Sequence, residues 1–292
     1  MAIISDMVGQ YAQLDRATTE FKKVSDLSGS SLDRYVQKLG KMGQTTARSS
    51  SEMVEAATEF RKNSFNDEDS AQLALVATAF QNVSDTSISA ADSASFIISQ
   101  LKAFQNEGIT AYQVIDKVNE TANRFAVGTN DLSAALEVAG AGLATYNNSY
   151  DETIALVTAG SEIMTGRSLQ VARGLNTIAA RLTTNQDLLA QYGIAINNTD
   201  GSMRSTYDIL KDLSDAWQKM GDEERVSVGQ ALAGVNQYKV LAAVMTNFQT
   251  AIDAVDVSLG AEGSAMEENA RYMESFGAKQ NWSFSTDMLG NP

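Results

Sequence analysis

The 292-residue chain has no cysteine and no histidine, and its one proline is the final residue. Without cysteine there is no disulfide scaffold, and the redox compartment is left open. The missing histidine removes the Ser–His and Cys–His nucleophile pairs. Together the two absences remove zinc sites built on nitrogen or sulfur. Carboxylate-only catalysis and magnesium or calcium binding stay formally open. With no internal proline, only glycines and capping residues can interrupt helices, so the expected fold is all-α.

Two further features are scarce. No apolar run approaches eighteen residues, so no membrane-spanning segment is expected in this chain. The opening MAIISDMVGQYAQLDR places Asp6 inside any would-be apolar region and lacks a basic leader, so it is not read as a signal peptide. Positive charge is also in deficit. Residues 1–62 hold nine Lys/Arg against eight Asp/Glu, whereas residues 63–292 hold thirteen against twenty-eight, giving a net charge of −14. Such an acidic body repels phosphate backbones, so tight nucleic-acid binding is not expected. Asn-x-Ser/Thr triplets at Asn82, Asn119, Asn147, Asn197 and Asn281 are what chance gives in a chain rich in these residues.

What is present is a succession of short capped helices. Candidate N-caps fall at Asn66, Ser89, Thr110, Asn130, Ser149 and Ser168. Reciprocal capping pairs are expected for Ser49 with Glu52, Ser89 with Asp92, Thr110 with Gln113 and Ser149 with Glu152. Asp67, Glu68 and Asp69 suit a first helical turn, where the helix dipole favours negative charge. Between caps the apolar spacing is helical. One stripe is Leu132, Ala135, Leu136, Ala139, Leu143 and Tyr146, a second is Ala111, Val114, Ile115, Val118, Ala122 and Phe125, and a third is Val171, Ala172, Leu175, Ala179 and Leu182. Helices of about fourteen residues do not persist alone in water, so each must pack on its neighbours. A cadence near twenty residues without self-similarity predicts a compact array of short antiparallel helices rather than a regular solenoid.

Three places depart from that pattern. Ile194 and Ile196 alternate ahead of an Asp200-Gly201 turn and Met203, which predicts one small β-hairpin near residues 193–204. Tyr238, Leu241, Met245, Phe248, Ile252, Val255 and Leu259 follow 3-4 spacing and predict a continuous coiled-coil-like seam, compatible with an intramolecular helix pair or a homo-oligomer. Residues 277–292 lose periodicity and predict an irregular or disordered tail. Gly140 and Gly142, inside a predicted helix, are expected to admit a neighbouring backbone.

No residues are assigned a catalytic, cofactor-binding or metal-binding role, and no cofactor is expected. Asp222-Glu223-Glu224 is explained by a helix N-terminus, Arg173 and Arg181 by solvated charge opposite an apolar stripe, and Trp217 by core spacing from Leu210 and Leu213. Neither arginine lies in a phosphate-binding loop.

The segments EMVEAATEFRKNSF (52–65), VIDKVNETANRFAVGTNDLSAAL (114–136), YDETIALVTAGSEI (150–163) and VARGLNTIAARL (171–182) resemble the core region of bacteriophage tail tape measure proteins. So do MRSTYDILKDLSDAW (203–217), ALAGVNQYKVLAAVMTNF (231–248) and SAMEENARYMESF (264–276), in family-like order. One departure is Ser64, where many relatives carry glycine before the phenylalanine; another is the loss of the pattern after Phe276, which suggests a fragment, a truncated frame or an excised domain. The resemblance divides the chain into a helical lead-in (1–45), a tape-measure-like core (46–276) and the tail (277–292). It implies a structural, non-enzymatic virion component that helps set tail length and occupies the tail tube lumen until DNA ejection, passing through the host cytoplasm during assembly. The partners implied are tail tube protein, tail assembly chaperones and tail-tip proteins. The competing expectation is a helical-repeat adaptor that binds other proteins. A carboxylate-dependent enzyme is a third, since some tape measure proteins carry separate peptidoglycan-cleaving modules.

Overall fold

Capping side chains and left-handed turns cut the chain into fifteen α-helices and two 3-10 turns among the residues described, 2–275, in a computed structural model. The capping boxes form at Ser49/Glu52, Thr110/Gln113 and Ser149/Glu152, and Asn66 caps through Asp69 N. Ser89 Oγ likewise accepts from Asp92 N at 3.0 Å. Two expected caps are displaced. Gly128, with extended backbone, starts the helix expected at Asn130, and Arg167 starts the one expected at Ser168. In both, a buried polar residue (Thr129, Ser168) occupies the first helical position, so burial rather than side-chain capping sets the boundary.

The helices sort into two compact units. The first comprises residues up to Ile98 and those from Gly263 on. It contains α1 (Ala2–Phe21), α2 (Ser30–Gly43), α3 (Ser50–Lys62), α4 (Asp67–Val83), most of α5 (Ala90–Ala103) and α15 (Ser264–Met273). Its core stacks Phe21 on Tyr35 at 4.9 Å between ring centroids and Phe80 on Phe96 at 5.3 Å. α15, the last element in sequence, is held by polar contacts. Asn82 Nδ2 donates to Thr46 O and to Asn269 Oδ1, both at 2.7 Å, while Arg48 donates to Asn82 Oδ1 at 2.8 and 2.6 Å. Ser64 lies between α3 and α4 at φ 71°, in the left-handed region that favours glycine.

The second unit, Ser99–Glu262, is built around α8 (Tyr150–Ile163). Residues 153–161 of α8 are buried without a break, the pattern of a helix enclosed on all sides. Around it lie α7 (Thr129–Thr145), α9 (Ser168–Thr184), α13 (Tyr238–Thr246) and α14 (Phe248–Leu259); α6 (Ala111–Arg124) packs on α14 and α7. The helices α10 (Gln186–Gln191), α11 (Thr206–Trp217) and α12 (Asp222–Ala233) complete the unit. The three apolar stripes expected from spacing are buried apart from Tyr146, Ala122 and Phe125, which are half-buried.

Three expectations are corrected here. The hairpin near 193–204 does not form: the described residues contain no strand, only a single antiparallel bridge between Asn197 and Met203. Asn198 N donates to Ser202 O at 2.8 Å and Arg204 N to Ile196 O at 2.9 Å, but the return arm becomes the Ser205 cap of α11 before a ladder can extend. Ile194 is buried there and Ile196 half-buried. The seam over 238–259 is not continuous, because α13 and α14 meet at a 69° bend at Asn247. α14 keeps Phe248 of the seam buried but beyond it buries Ala251, Ala254 and Ser258 instead, and Leu259 is 65% exposed. Its small residues allow closer packing on α8 than the bulky stripe would. Finally, Gly140 and Gly142 admit side chains rather than backbone: an added Cβ would lie 2.9 Å from Gln100 Oε1 and 2.2 Å from Asn176 Oδ1, respectively. The tail expected at 277–292, and Asn281 within it, lie outside the described residues.

Candidate functional site: a groove between α8 and α13

The groove follows from how closely α13 is drawn against its neighbours. Val240 and Val244, one turn apart, face Gly174 of α9 and Gly160 of α8; an added Cβ would come within 2.7 Å of Val240 at the first and 3.3 Å of Val244 at the second. Seating those valines on glycines turns the other side of α13 outward. That side carries Lys239 and Ala242, and it faces the end of α8 and the turn after it, where Ile163, Met164 and Arg167 stand. Gly166, at φ 70°, forms that turn. The resulting cleft is open to solvent and encloses about 600 Å³. Ile163 is 53% exposed at its wall.

Charge in the groove runs against that of its unit. Ser99–Glu262 holds eleven Lys/Arg and nineteen Asp/Glu, yet the only charged residues lining the cleft are Arg167 and Lys239. Both are exposed, and neither forms an ion pair with a described residue. Glu162, next to the groove in sequence, is committed elsewhere: it accepts from Ala126 N, Asn247 Nδ2 and Thr250 Oγ1, each at 3.0 Å. Partial burial alone would push its carboxyl up, but those three bonds outweigh it and leave the group below the ordinary glutamate value. They also fasten the bend at Asn247 to the end of α8.

The other carboxylates of the unit serve the scaffold. Burial raises Glu107 and Glu152, but Glu107 accepts from Tyr150 N at 3.1 Å and Glu152 completes the Ser149 cap while accepting from Ser205 Oγ at 3.1 Å. Asp151 takes Lys117 Nζ at 2.5 Å and the Ser258 hydroxyl, tying together α6, α8 and α14. A smaller cleft of about 340 Å³ is lined by Tyr192, Asp212, Asp215 and Glu224. There Asp212 pairs with Arg204 at 2.7 Å and Glu224 accepts from the Tyr192 hydroxyl at 2.8 Å. Among the described residues no three His, Cys, Asp or Glu side chains gather as a metal site would require. No single described helix is long and apolar enough to cross a membrane; α13 and α14 meet that test only jointly, across their bend.

The residues singled out from sequence are dispersed. Asp222, Glu223 and Glu224 form the exposed first turn of α12, and Trp217 is buried, as spacing implied. Arg173 is exposed. Arg181 is not simply solvated charge: its Nε and Nη2 donate to Ala231 O at 3.0 and 2.8 Å, capping the C-terminal turn of α12 where the helix dipole welcomes a cation. Sequence reasoning passed over Arg167, Lys239 and Ile163. No motif links them; the available signal was an isoleucine and two cations at the ends of otherwise buried helices.

Beyond this geometry, a family model described as phage-related minor tail protein matches residues 36–234, more than half of the chain. No solved structure matches it.

Proposed function

We propose, because this chain belongs to the phage-related minor tail protein family, that it is the core region of a tail tape measure protein. Family membership makes it a structural bacteriophage tail protein and a virion component. The finer reading is that it helps set tail length, occupies the tube lumen and leaves on DNA ejection, without enzymatic activity. The family match carries this reading, and the ordered tape-measure-like segments between residues 46 and 276 support it. Tail tube protein, assembly chaperones and tail-tip proteins are the proposed partners.

The physical support lies in how the helices are held. They run from 6 to 20 residues, mostly at or below the length at which an isolated helix becomes marginal in water. Tertiary contacts therefore carry their stability. Confinement that replaced those contacts with tube-wall contacts would let the chain be drawn out. At the bend, straightening α13 and α14 through Asn247 would restore the heptad stripe from Tyr238 to Leu259 over about 33 Å. The groove beside α13 keeps a second reading in play, that of an adaptor engaging a partner through a cleft.

The test uses phage tails assembled with the full gene. Under the proposed reading the protein resists added protease in intact tails, becomes accessible after triggered DNA ejection, and in-frame deletions shift mean tail length measured by electron microscopy. Protease access in intact tails, or tail lengths indifferent to deletions, would refute it.

A further inference from the structure

We propose that the cleft between the end of α8 and α13 is a docking groove for an amphipathic helix of a partner protein, one carrying a carboxylate beside its aliphatic stripe. The proposal rests on the groove alone and not on the length-setting reading.

Ala242 and Ala243 give the lining small apolar side chains on the α13 side, and Ile163 and Met164 give it larger ones on the α8 side. Small residues on one side and larger apolar ones on the other suit the bulky face of an incoming helix, the helix-in-groove mode of recognition. Ile163, more than half exposed, gains burial only when something covers it.

Charge complementarity identifies the occupant. In a unit of net charge −8, two cations without ionic partners among the described residues flank an apolar cleft whose lining holds no carboxylate. Lys239 lies one turn from Ala242 on α13, and Arg167 closes the opposite side after the Gly166 turn. A carboxylate entering between them meets an ammonium and a forked guanidinium donor while its helix covers Ile163. A basic helix would meet like charge on both sides. The separate commitment of Glu162 keeps the nearest anionic group in sequence from neutralising the pair.

The experiment uses the full chain and a fluorescein-labelled amphipathic peptide with leucines at i, i+3, i+4 and i+7 and glutamates flanking the stripe. Isosteric glutamine and lysine versions serve as controls. Anisotropy is expected to show saturable binding of the glutamate peptide, at least about tenfold weaker for the glutamine version. R167E/K239E should lose the glutamate peptide and gain the lysine one, while Ala242→Trp, which fills the cleft, should block both. All three positions face solvent or the cleft, and an unchanged circular dichroism spectrum and melting temperature establish that each variant folds. Failure of every peptide to bind would overturn the proposal. So would equal affinity for the three peptides, or binding indifferent to the groove variants. Peptide-independent dimerisation, abolished by R167E/K239E in sedimentation, would also overturn it by assigning the groove to a second copy of this chain.

Discussion

Replacing Lys117 with methionine should loosen the second unit more than any surface ion pair could. Lys117 Nζ lies 2.5 Å from Asp151 Oδ1 and 3.2 Å from the Ser258 carbonyl, and the Ser258 hydroxyl closes onto the same Asp151 oxygen. The two charged side chains are only 12% and 16% exposed. At this separation the gross attraction is about 7 kcal/mol with an effective dielectric near 20, and desolvation of both ends offsets much of it. Removing one partner is a different matter. Methionine keeps the stem but leaves a mostly buried carboxylate without its counter-ion, with only the Ser258 hydroxyl still donating to it, a loss of about 3–5 kcal/mol in a fully buried setting. The residual exposure lowers the expectation to about 2–4 kcal/mol. Lys117→Met combined with Asp151→Leu should recover more than half of the loss, giving a coupling of at least about 2 kcal/mol. Urea unfolding followed by the fluorescence of buried Trp217, in a Trp282→Phe background, reads this unit. A single-variant cost below about 1 kcal/mol with no coupling, the behaviour of an exposed pair, would refute the reasoning.

Ser64→Gly should stabilise the first unit by about 1 kcal/mol, since φ 71° costs a serine what it does not cost glycine; a lower urea midpoint would contradict this. Two glycine replacements should move in opposite directions. Gly9→Ala in α1, with no neighbour within 4 Å, should gain about 0.8 kcal/mol, while Gly174→Ala, whose Cβ would lie 2.7 Å from the stiff Val240 side chain, should lose about 2–3 kcal/mol in thermal unfolding. The second unit should become more stable as pH falls from neutral toward the ordinary glutamate value. Burial raises Glu107 and Glu152, so the folded state binds their protons more readily, and that contribution is full below the unfolded value and lost as pH rises through the folded one. Glu162 has the opposite sign, its contribution being lost as pH falls through its lowered folded value, so stability should turn down again in stronger acid. Denaturation midpoints across this range check the turn, and a monotonic rise toward neutral pH would contradict it.

Helix identity was legible because it depends on local information. A Ser or Thr followed three residues later by Glu or Gln is a local capping signal, and the three such pairs expected from the sequence, Ser49/Glu52, Thr110/Gln113 and Ser149/Glu152, form their boxes. The misplaced starts at Asn130 and Ser168 are cases where packing overrode a local signal, burying Thr129 and Ser168. The hairpin failed for a related reason. Alternation from Ile194 to Ile196 is genuine, but a ladder needs a partner of comparable length, and the cap of α11 claims the chain from Ser205 onward. The groove was illegible because its residues come from two segments some seventy positions apart in sequence, joined only by the way Val240 and Val244 sit on glycines of two other helices.

The break at Asn247 is the most instructive disagreement, because both sets of residues are real. The heptad stripe Tyr238, Leu241, Met245, Phe248, Ile252, Val255 and Leu259 runs through the bend without a phase error. Beyond the bend it is largely unused, with Ile252 and Val255 half-buried and Leu259 exposed. The face buried in its place is one residue out of phase: Ala251, Ala254 and Ser258. A small-residue face permits close approach to α8 and α6, and Ser258 joins the polar tie to Asp151 and Lys117 there. Glu162 secures the bend itself through Asn247 and Thr250. Two incompatible faces on one segment give that segment two ways to satisfy its side chains. One is the bent arrangement, held by buried polar bonds and small contacts. The other is a straight helix that requires apolar partners along its whole length, which the surroundings of α14 in this unit do not supply.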